Sequence, residues 1–399
     1  MNIQQPDLVA AGSALRSSGT AAETPKRVLV TTATWQSAVA CMQSLGRLGH
    51  EVWLLDQTGH AAATHSRYCR GALPSPPESD RDSYAAALRD TLQCEGFDLL
   101  VPISDDAVDT VAALQEELPS GLAVEIAPPG CLELGRDKAR VTRFAAEKGI
   151  PVPASWYPAD LAEARALAHE IAYPCVCKLP ISTGNLGVEV VRDAAGLIRF
   201  FEERGEEGNW PFVQEFVGGD LFDVTAVCDH GKVVAMFSFL SPIRYHLGGT
   251  PPYAYTCGDP HLLDTARRLL EALGWHGAVD LDFLQAADGS YRFLELNPRL
   301  SGTTNFAYKL GIDLPRAYHD LAFDCVQPSY GTTPRDGILF RTLVPAELWW
   351  WNLGRASRTA ELLGKFVRPR VRTNLYWDDL PLLRAQLRDA ARILARKPI

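Results

Sequence analysis

From Lys26 onward, short apolar runs alternate with stretches whose apolar residues recur at helical spacing. RVLVTTA is followed by TWQSAVACMQSLGRLGH and EVWLLD, then by SYAAALRDTLQCEG and FDLLVPISDD, with VEIAP after a further helix. Runs of this kind predict a parallel sheet covered by helices, ending near Pro128-Pro129-Gly130. Residues 151–216 predict a helix, the strand CVCKL, a glycine-bearing loop, the strand GVEVV, a helix and the strand FVQEFV. Between 221 and 300 the pattern is that of antiparallel strands, interrupted by a helix at 260–273. Residues 303–325 read as helical, and a last helix is expected at 380–396, after Trp349-Trp350-Trp351. The fold class is therefore α/β followed by α+β. Its parts are a disordered leader (1–24), an α/β domain (25–130), a two-lobed domain (131–330, with lobes at 151–216 and 217–330) and a mostly helical extension (331–399).

The most informative stretch is Val279–Arg299, VDLDFLQAADGSYRFLELNPR. Asp288-Gly289 predicts a two-residue hairpin turn between β-rich runs. A symmetric hairpin places Asp282 opposite Glu295 and Asp280 opposite Asn297, and the two-residue period points all four side chains to one face. Carboxylates facing each other repel unless something positive lies between them. A small set of oxygen ligands suits Mg²⁺ (or Mn²⁺) better than zinc. A solvated hairpin face is the alternative.

A chain of 399 residues that is 47% hydrophobic can bury a large core in two or three domains. The net charge of −9 argues against a general nucleic-acid binder. Residues 331–399 hold 13 Lys and Arg against 6 Asp and Glu, a surplus of +7 that leaves −16 on the rest. No run approaches the roughly eighteen apolar residues that a membrane-spanning helix requires, and the start of the chain does not read as a signal peptide. Nine cysteines without a CxxC pair fit reduced thiols in the cytoplasm better than a zinc site or a disulfide framework.

The first loop, Thr31-Thr32-Ala33-Thr34, has no GxGxxG, so a dinucleotide site is poorly supported. Ser104-Asp105-Asp106 lies beyond a strand's carboxyl end and reads as a helix N-cap more readily than as a ligand site. Lys178 ends an apolar strand just before Ser182-Thr183-Gly184-Asn185-Leu186-Gly187, a small glycine-containing loop whose N–H groups can approach phosphate oxygens. Lys138, near a helix start, could add a second charge, although alone it reads as a surface lysine. FVQEFVGGD, residues 212–220, is a strand breaking into Gly-Gly, which suits an adenine edge or is simply a strand end.

In this order these features resemble the ATP-grasp superfamily over roughly residues 26–325. The resemblance implies two lobes clamping ATP between antiparallel sheets, preceded by an α/β domain that helps hold the substrate. It implies that Lys138 and Lys178 contact phosphates, that Ser182, Thr183, Gly184, Asn185 and Gly187 cover them, and that Gln214, Glu215, Phe216 and Val217 hold adenine. Asp220 would take the ribose, although glutamate is usual there. Asp282, Glu295 and Asn297 would ligate Mg²⁺, and Arg299 would hold a substrate carboxylate or acyl phosphate. Asp280 stands where D-alanine ligases place an arginine, which argues against close kinship with them. Arg244-Tyr245-His246-Leu247-Gly248-Gly249 instead looks like a segment of stand-alone ligases similar to carbamoyl phosphate synthetase, making Arg244 a second candidate clamp.

The implied chemistry is ligation of a small-molecule carboxylate to an amine, both amino-acid-like, through an acyl phosphate with release of ADP and without a cysteine or serine nucleophile. A phosphotransferase on the same fold is the first rival, and a non-catalytic ATP-binding regulatory protein the second. The identity of acid and amine and the oligomeric state, homodimer included, stay open at this level. The Trp-rich basic tail reads as a capping subdomain rather than a membrane contact.

Overall fold

The computed structural model describes residues 24–182, 187–242, 251–334, 337–352 and 371–395. The expected leader lies almost wholly outside them. The first unit comprises β1 (Arg27–Val30), α1 (Gln36–Arg47), β2 (Glu51–Asp56), β3 (Cys69–Pro74), α2 (Arg81–Glu95), β4 (Leu99–Val101) and α3 (Asp105–Ala113). Its sheet has the order β3-β2-β1-β4 with every pair parallel. Two details differ from the sequence reading. Cys69–Pro74 forms an edge strand of alternating exposure that no apolar run announces. VEIAP stays outside the named strands, and only Ala123 just before it makes a single bridge, to Leu99.

Two helices, α4 (Pro129–Arg136) and α5 (Lys138–Glu147), lead into the next lobe. This lobe comprises β5 (Ser155–Trp156), α6 (Leu161–Leu167), β6 (Cys175–Lys178), β7 (Val188–Val191), α7 (Ala194–Arg204) and β8 (Phe212–Glu215). Its antiparallel sheet runs β5-β8-β6-β7, with α6 and α7 burying Ala164, Leu197 and Phe201 against Cys175, Cys177 and Val213. That one-sided core leaves the other sheet face to the cleft.

The large lobe contains β9 (Leu221–Asp229), β10 (Lys232–Ser241), β11 (Tyr253–Thr256), α8 (Pro260–Leu273), β12 (Gly277–Gln285), β13 (Tyr291–Asn297), α9 (Thr304–Lys309) and α10 (Leu314–Ala322). Helix α8 begins at Asp259, whose carboxylate accepts the His261 N–H at 2.9 Å, with Pro260 in the first turn, and ends at left-handed Gly274. Its apolar stripe, Leu262, Ala266, Leu269 and Leu273, packs with Val224, Val279 and Phe293. The segment 303–325, expected to be helical, forms two helices separated at Gly311 with φ of 83°.

The C-terminal residues are largely helical, with α11 (Leu348–Asn352) and α12 (Leu380–Ala395), and also supply strands β14 (Leu339–Arg341) and β15 (Val371–Thr373). The resulting sheet has the order β13-β12-β9-β10-β11-β14-β15. The segment after 330 thus completes the main sheet instead of merely capping it. Phe306 of α9 joins these parts, with ring centroids 4.9 Å from Phe237 and 4.6 Å from Phe340. No helix among the described residues is long and apolar enough to cross a membrane.

Candidate active site

The acidic hairpin forms one wall of a cleft of about 1100 Å³ between the two antiparallel sheets. Its register pairs Asp280 with Asn297 and Asp282 with Glu295, and all four residues line the cleft. The two-residue turn does not form. The Ser290 carbonyl accepts the Ala286 N–H at 2.9 Å, and Phe283, Leu284 and Gln285 pair one residue out of step, with Phe293, Arg292 and Tyr291. A bulge between Asp282 and Phe283 absorbs the difference and restores the acidic pairs.

Asp223, unremarked in the sequence, lies directly across from Asp282 on the other neighbouring strand, β9. Carboxylate oxygens of Asp223, Asp280 and Asp282 lie within 4.8 Å of one another. Burial, then the neighbouring Asp280, push Asp223 up to about 8. Burial, then Asp223, Glu295 and Asp280, raise Asp282 well above the usual carboxylate range. Burial also raises Asp280 to about 6, against the pull of Arg299. One oxygen of Asp280 is buried without a hydrogen-bond partner. An all-oxygen, charge-crowded set with an orphaned carboxylate oxygen fits a hard divalent cation such as Mg²⁺.

The cationic wall faces these acids. Lys178, at the end of β6, is 7% exposed, and burial lowers it to about 8 against the pull of Glu295. The Lys138 ammonium lies 3.9 Å from Glu295 and donates to the Ser182 carbonyl at 2.7 Å. Lys138 is therefore a buried cleft residue, not a surface lysine. Gly187 packs so closely on Ser182 that a Cβ would lie 2.7 Å from the serine Cβ. Thr183, Gly184, Asn185 and Leu186 lie outside the described residues, as does Arg244.

Of the hinge residues, Gln214 is buried, with its amide donating to Ser155 Oγ at 3.1 Å. Glu215 is held by Arg292 at 2.7 Å, while Phe216 and Val217 line the cleft. Asp220 is exposed and lies outside the cleft lining. The Arg299 guanidinium sits 3.1 Å from Asp280 and 3.9 Å from Asp105, and 5.6 Å from the Trp35 ring centroid.

Asp105 also pairs with Arg136 at 3.1 Å, and Ser104 Oγ caps α3 by accepting the Ala107 N–H at 3.0 Å. The capping reading of this segment was therefore correct but incomplete. Trp35, Glu78, Thr342 and Trp349 line the cleft as well, bringing the first domain and the C-terminal segment to it. Sequence reasoning assigned none of these to the site: Trp349 reads as part of the Trp-rich tail, and the other three stand in no motif. For Asp223 the one available signal was a lone acid inside the apolar strand LFDVTAVCD.

Two family descriptions match the chain: an ATP-grasp domain over residues 136–303 and an ATP-grasp N-terminal domain over residues 42–120. The chain belongs to the ATP-grasp superfamily. It is 28% identical over 243 residues to the N-terminal section of the carbamoyl phosphate synthase large chain of Methanopyrus kandleri, covering 51% of this chain and 43% of that one. It spans less than half the length of the curated relatives that it matches. Among solved structures, biotin carboxylase from Campylobacter jejuni superposes with a TM-score of 0.63 at 18% identity, covering 78% of this chain and 73% of that one. An L-amino acid ligase from Bacillus licheniformis gives 0.56 at 16% identity, covering 74% of each chain. At these identities the structural likeness carries the fold, not the substrate.

Proposed function

We propose that the chain is an ATP-dependent carboxylate–amine ligase that forms an amide-type bond through an acyl phosphate and releases ADP and phosphate. The observation that carries this reading is the facing of two buried lysines, Lys138 and Lys178, against the Asp223/Asp280/Asp282/Glu295 wall, with Arg299 beside it. Lysines without a nearby phosphate would have little reason to be buried there.

In this reading ATP lies between the sheets, with its adenine against Phe216 and Val217 and its phosphates between the two lysines and the acidic wall. Asp282, Glu295 and Asn297, joined by Asp223, would hold Mg²⁺, which supplies charge neutralisation at the phosphates. Arg299 orients the substrate carboxylate, for which a planar guanidinium fork is suited. A carboxylate oxygen attacks the terminal phosphorus, the bond to the bridging oxygen breaks, and ADP leaves with the electron pair. The amine then adds to the acyl carbon, phosphate departs with the C–O electron pair, and the nitrogen loses its proton. Closure of the loop after Ser182 would exclude water from the acyl phosphate.

Residues 25–130 then form the pre-ATP-grasp domain, 151–216 the lid lobe and 217–330 the metal lobe. The nine cysteines form no disulfide, which supports a cytoplasmic setting. The test is an ADP-release screen over small carboxylates, each with and without a panel of amino acids. ADP release that requires both substrates is expected. Release with a hydroxyl acceptor alone would favour a phosphotransferase, and AMP with pyrophosphate would refute the acyl-phosphate route.

A further inference from the structure

At the far end of β9 from the cleft, a second cluster of metal-type side chains is assembled by three separate segments. Asp229 lies six residue steps along β9 from Asp223, a distance of about 20 Å, so the two clusters are independent. The β9–β10 connection is a two-residue turn, His230-Gly231, with φ of 45° and 90°. Gly231 donates its N–H to the Trp275 carbonyl at 2.7 Å, laying the turn against the segment that carries His276. On the other side, a Cβ at Gly277 would lie 2.2 Å from the Glu125 carbonyl oxygen, so only glycine permits the end of the first domain to approach. These two contacts bring Asp229, His230, His276 and Glu125 together.

The hydrogen bonds within the group are those of a ligand set. Glu125 engages Nε2 of His276, and both side chains are largely buried. With Nε2–H donating to that carboxylate, the Nδ1 lone pair of His276 is turned outward. There it lies 3.6 Å from Asp229 Oδ1 and accepts only a long, 3.4 Å bond from the His230 backbone N–H. His230 Nδ1 is 2.8 Å from the same Asp229 oxygen, and the two imidazole rings are 4.3 Å apart. One ligand atom from each of Asp229, His230 and His276 lies within 4.8 Å of the others. Tetrahedral zinc holds its ligand atoms roughly 3.3 Å apart, within reach of a small adjustment by the exposed His230.

We propose that Asp229, His230 and His276 form a Zn²⁺-type metal site, with Glu125 orienting His276 from behind and solvent as fourth ligand. Two imidazoles and one carboxylate are a borderline donor set that favours a late divalent ion over Mg²⁺, unlike the all-oxygen wall of the cleft. A carboxylate behind a ligating histidine fixes its tautomer and raises its basicity. Because Glu125 belongs to the last residues of the first domain while the ligands belong to the large lobe, the ion braces one against the other.

The test uses the full chain stripped by a chelator and titrated with Zn²⁺ in saturating Mg²⁺, read by calorimetry and by Tm, with Co²⁺ absorption as a ligand-field signature. One tight Zn²⁺ per chain and a higher Tm are expected. His276→Ala should weaken binding by at least about a hundredfold and Glu125→Gln by roughly ten- to a hundredfold, although glutamine touches no ion. Should His276→Ala fail to fold, His230→Asn still decides, because asparagine tolerates the positive φ of this exposed turn while removing the imidazole. Loss of the Tm gain and of the tetrahedral Co²⁺ bands in His230→Asn supports the site. Unchanged stoichiometry and Tm gain in that variant, or no binding below 100 µM Zn²⁺ in the wild type, a threshold on the order of a weak surface contact, would overturn it.

Discussion

Asp282 is a half-buried carboxylate and Asp320 a buried one, and their surroundings are opposites. Asp282 faces Asp223, Asp280 and Glu295, and burial together with these like charges raises it well above the ordinary range. Asp320 is 1% exposed, yet it accepts hydrogen bonds from His319 Nδ1 at 2.9 Å, Tyr330 Oη at 2.9 Å and Arg316 Nε at 3.3 Å. Burial pushes Asp320 up, but these donors outweigh it and hold the group below its usual value. The contrast separates two uses of an acid withdrawn from solvent. One whose oxygens are already matched by donors contributes to the fold, whereas one set among other acids leaves a demand for further positive charge that a cation from outside can meet.

The sharpest break of this comparison is at the cleft. Asp282→Asn and Glu295→Gln should each lower turnover by at least about a hundredfold, since each removes a charge aimed at the reacting phosphates. The same variants should be as stable as wild type, or more so, in the absence of divalent cations, because they relieve repulsion. Thermal melts with and without Mg²⁺ alongside ADP release measure both effects, and full activity in both variants would sink the assignment.

The converse change is Asp320→Ala, which strips three donors of their acceptor. It should cost about 3 kcal/mol in denaturant unfolding while turnover per folded molecule stays near wild type. A fall in turnover with unchanged stability would mean that Asp320 serves the chemistry.

A pH experiment sharpens the same contrast. His50 is buried, its ring centroid is 4.4 Å from that of His319, and its Nδ1 accepts the Lys26 N–H at 3.2 Å. Burial, then the neighbouring His319, lower His50 to about 4. The native imidazole thus stays neutral while the unfolded one protonates near 6.5. Its contribution is intact above 6.5 and is lost as the pH falls towards 4. His50→Gln should reduce the loss of stability between pH 7 and 4.5 by about 2 kcal/mol, measured by urea unfolding at each pH. An identical pH slope in wild type and variant would exclude His50 as the source.

The smallest effect is expected at Arg299→Lys, which keeps the charge beside Asp280 but loses the fork. Turnover with the acid substrate should fall about tenfold while ATP affinity changes little. Equal losses in both would assign Arg299 to the nucleotide.

Local pattern alone made much of this protein legible. The alternation of apolar runs with helices marked the parallel sheet, and the order of lysine, glycine loop, hinge and acidic hairpin pointed to the superfamily. The common face of Asp280, Asp282, Glu295 and Asn297 follows from side-chain alternation, since residues two apart share a face in any strand, whereas the pairing of Asp282 with Glu295 is expected from a symmetric two-residue turn. That turn does not form, and a bulge between Asp282 and Phe283 restores the pairing. Other features depended on contacts between residues far apart in the chain, which no local period encodes. Strand order set Asp223 beside Asp282, domain docking set Asp105 beside Arg299, and the C-terminal strands entered the main sheet. Sequence therefore determined which residues share a face, because that depends on backbone geometry over a few residues. The tertiary structure decided which faces meet, because that depends on how whole sheets and helices bury their apolar sides.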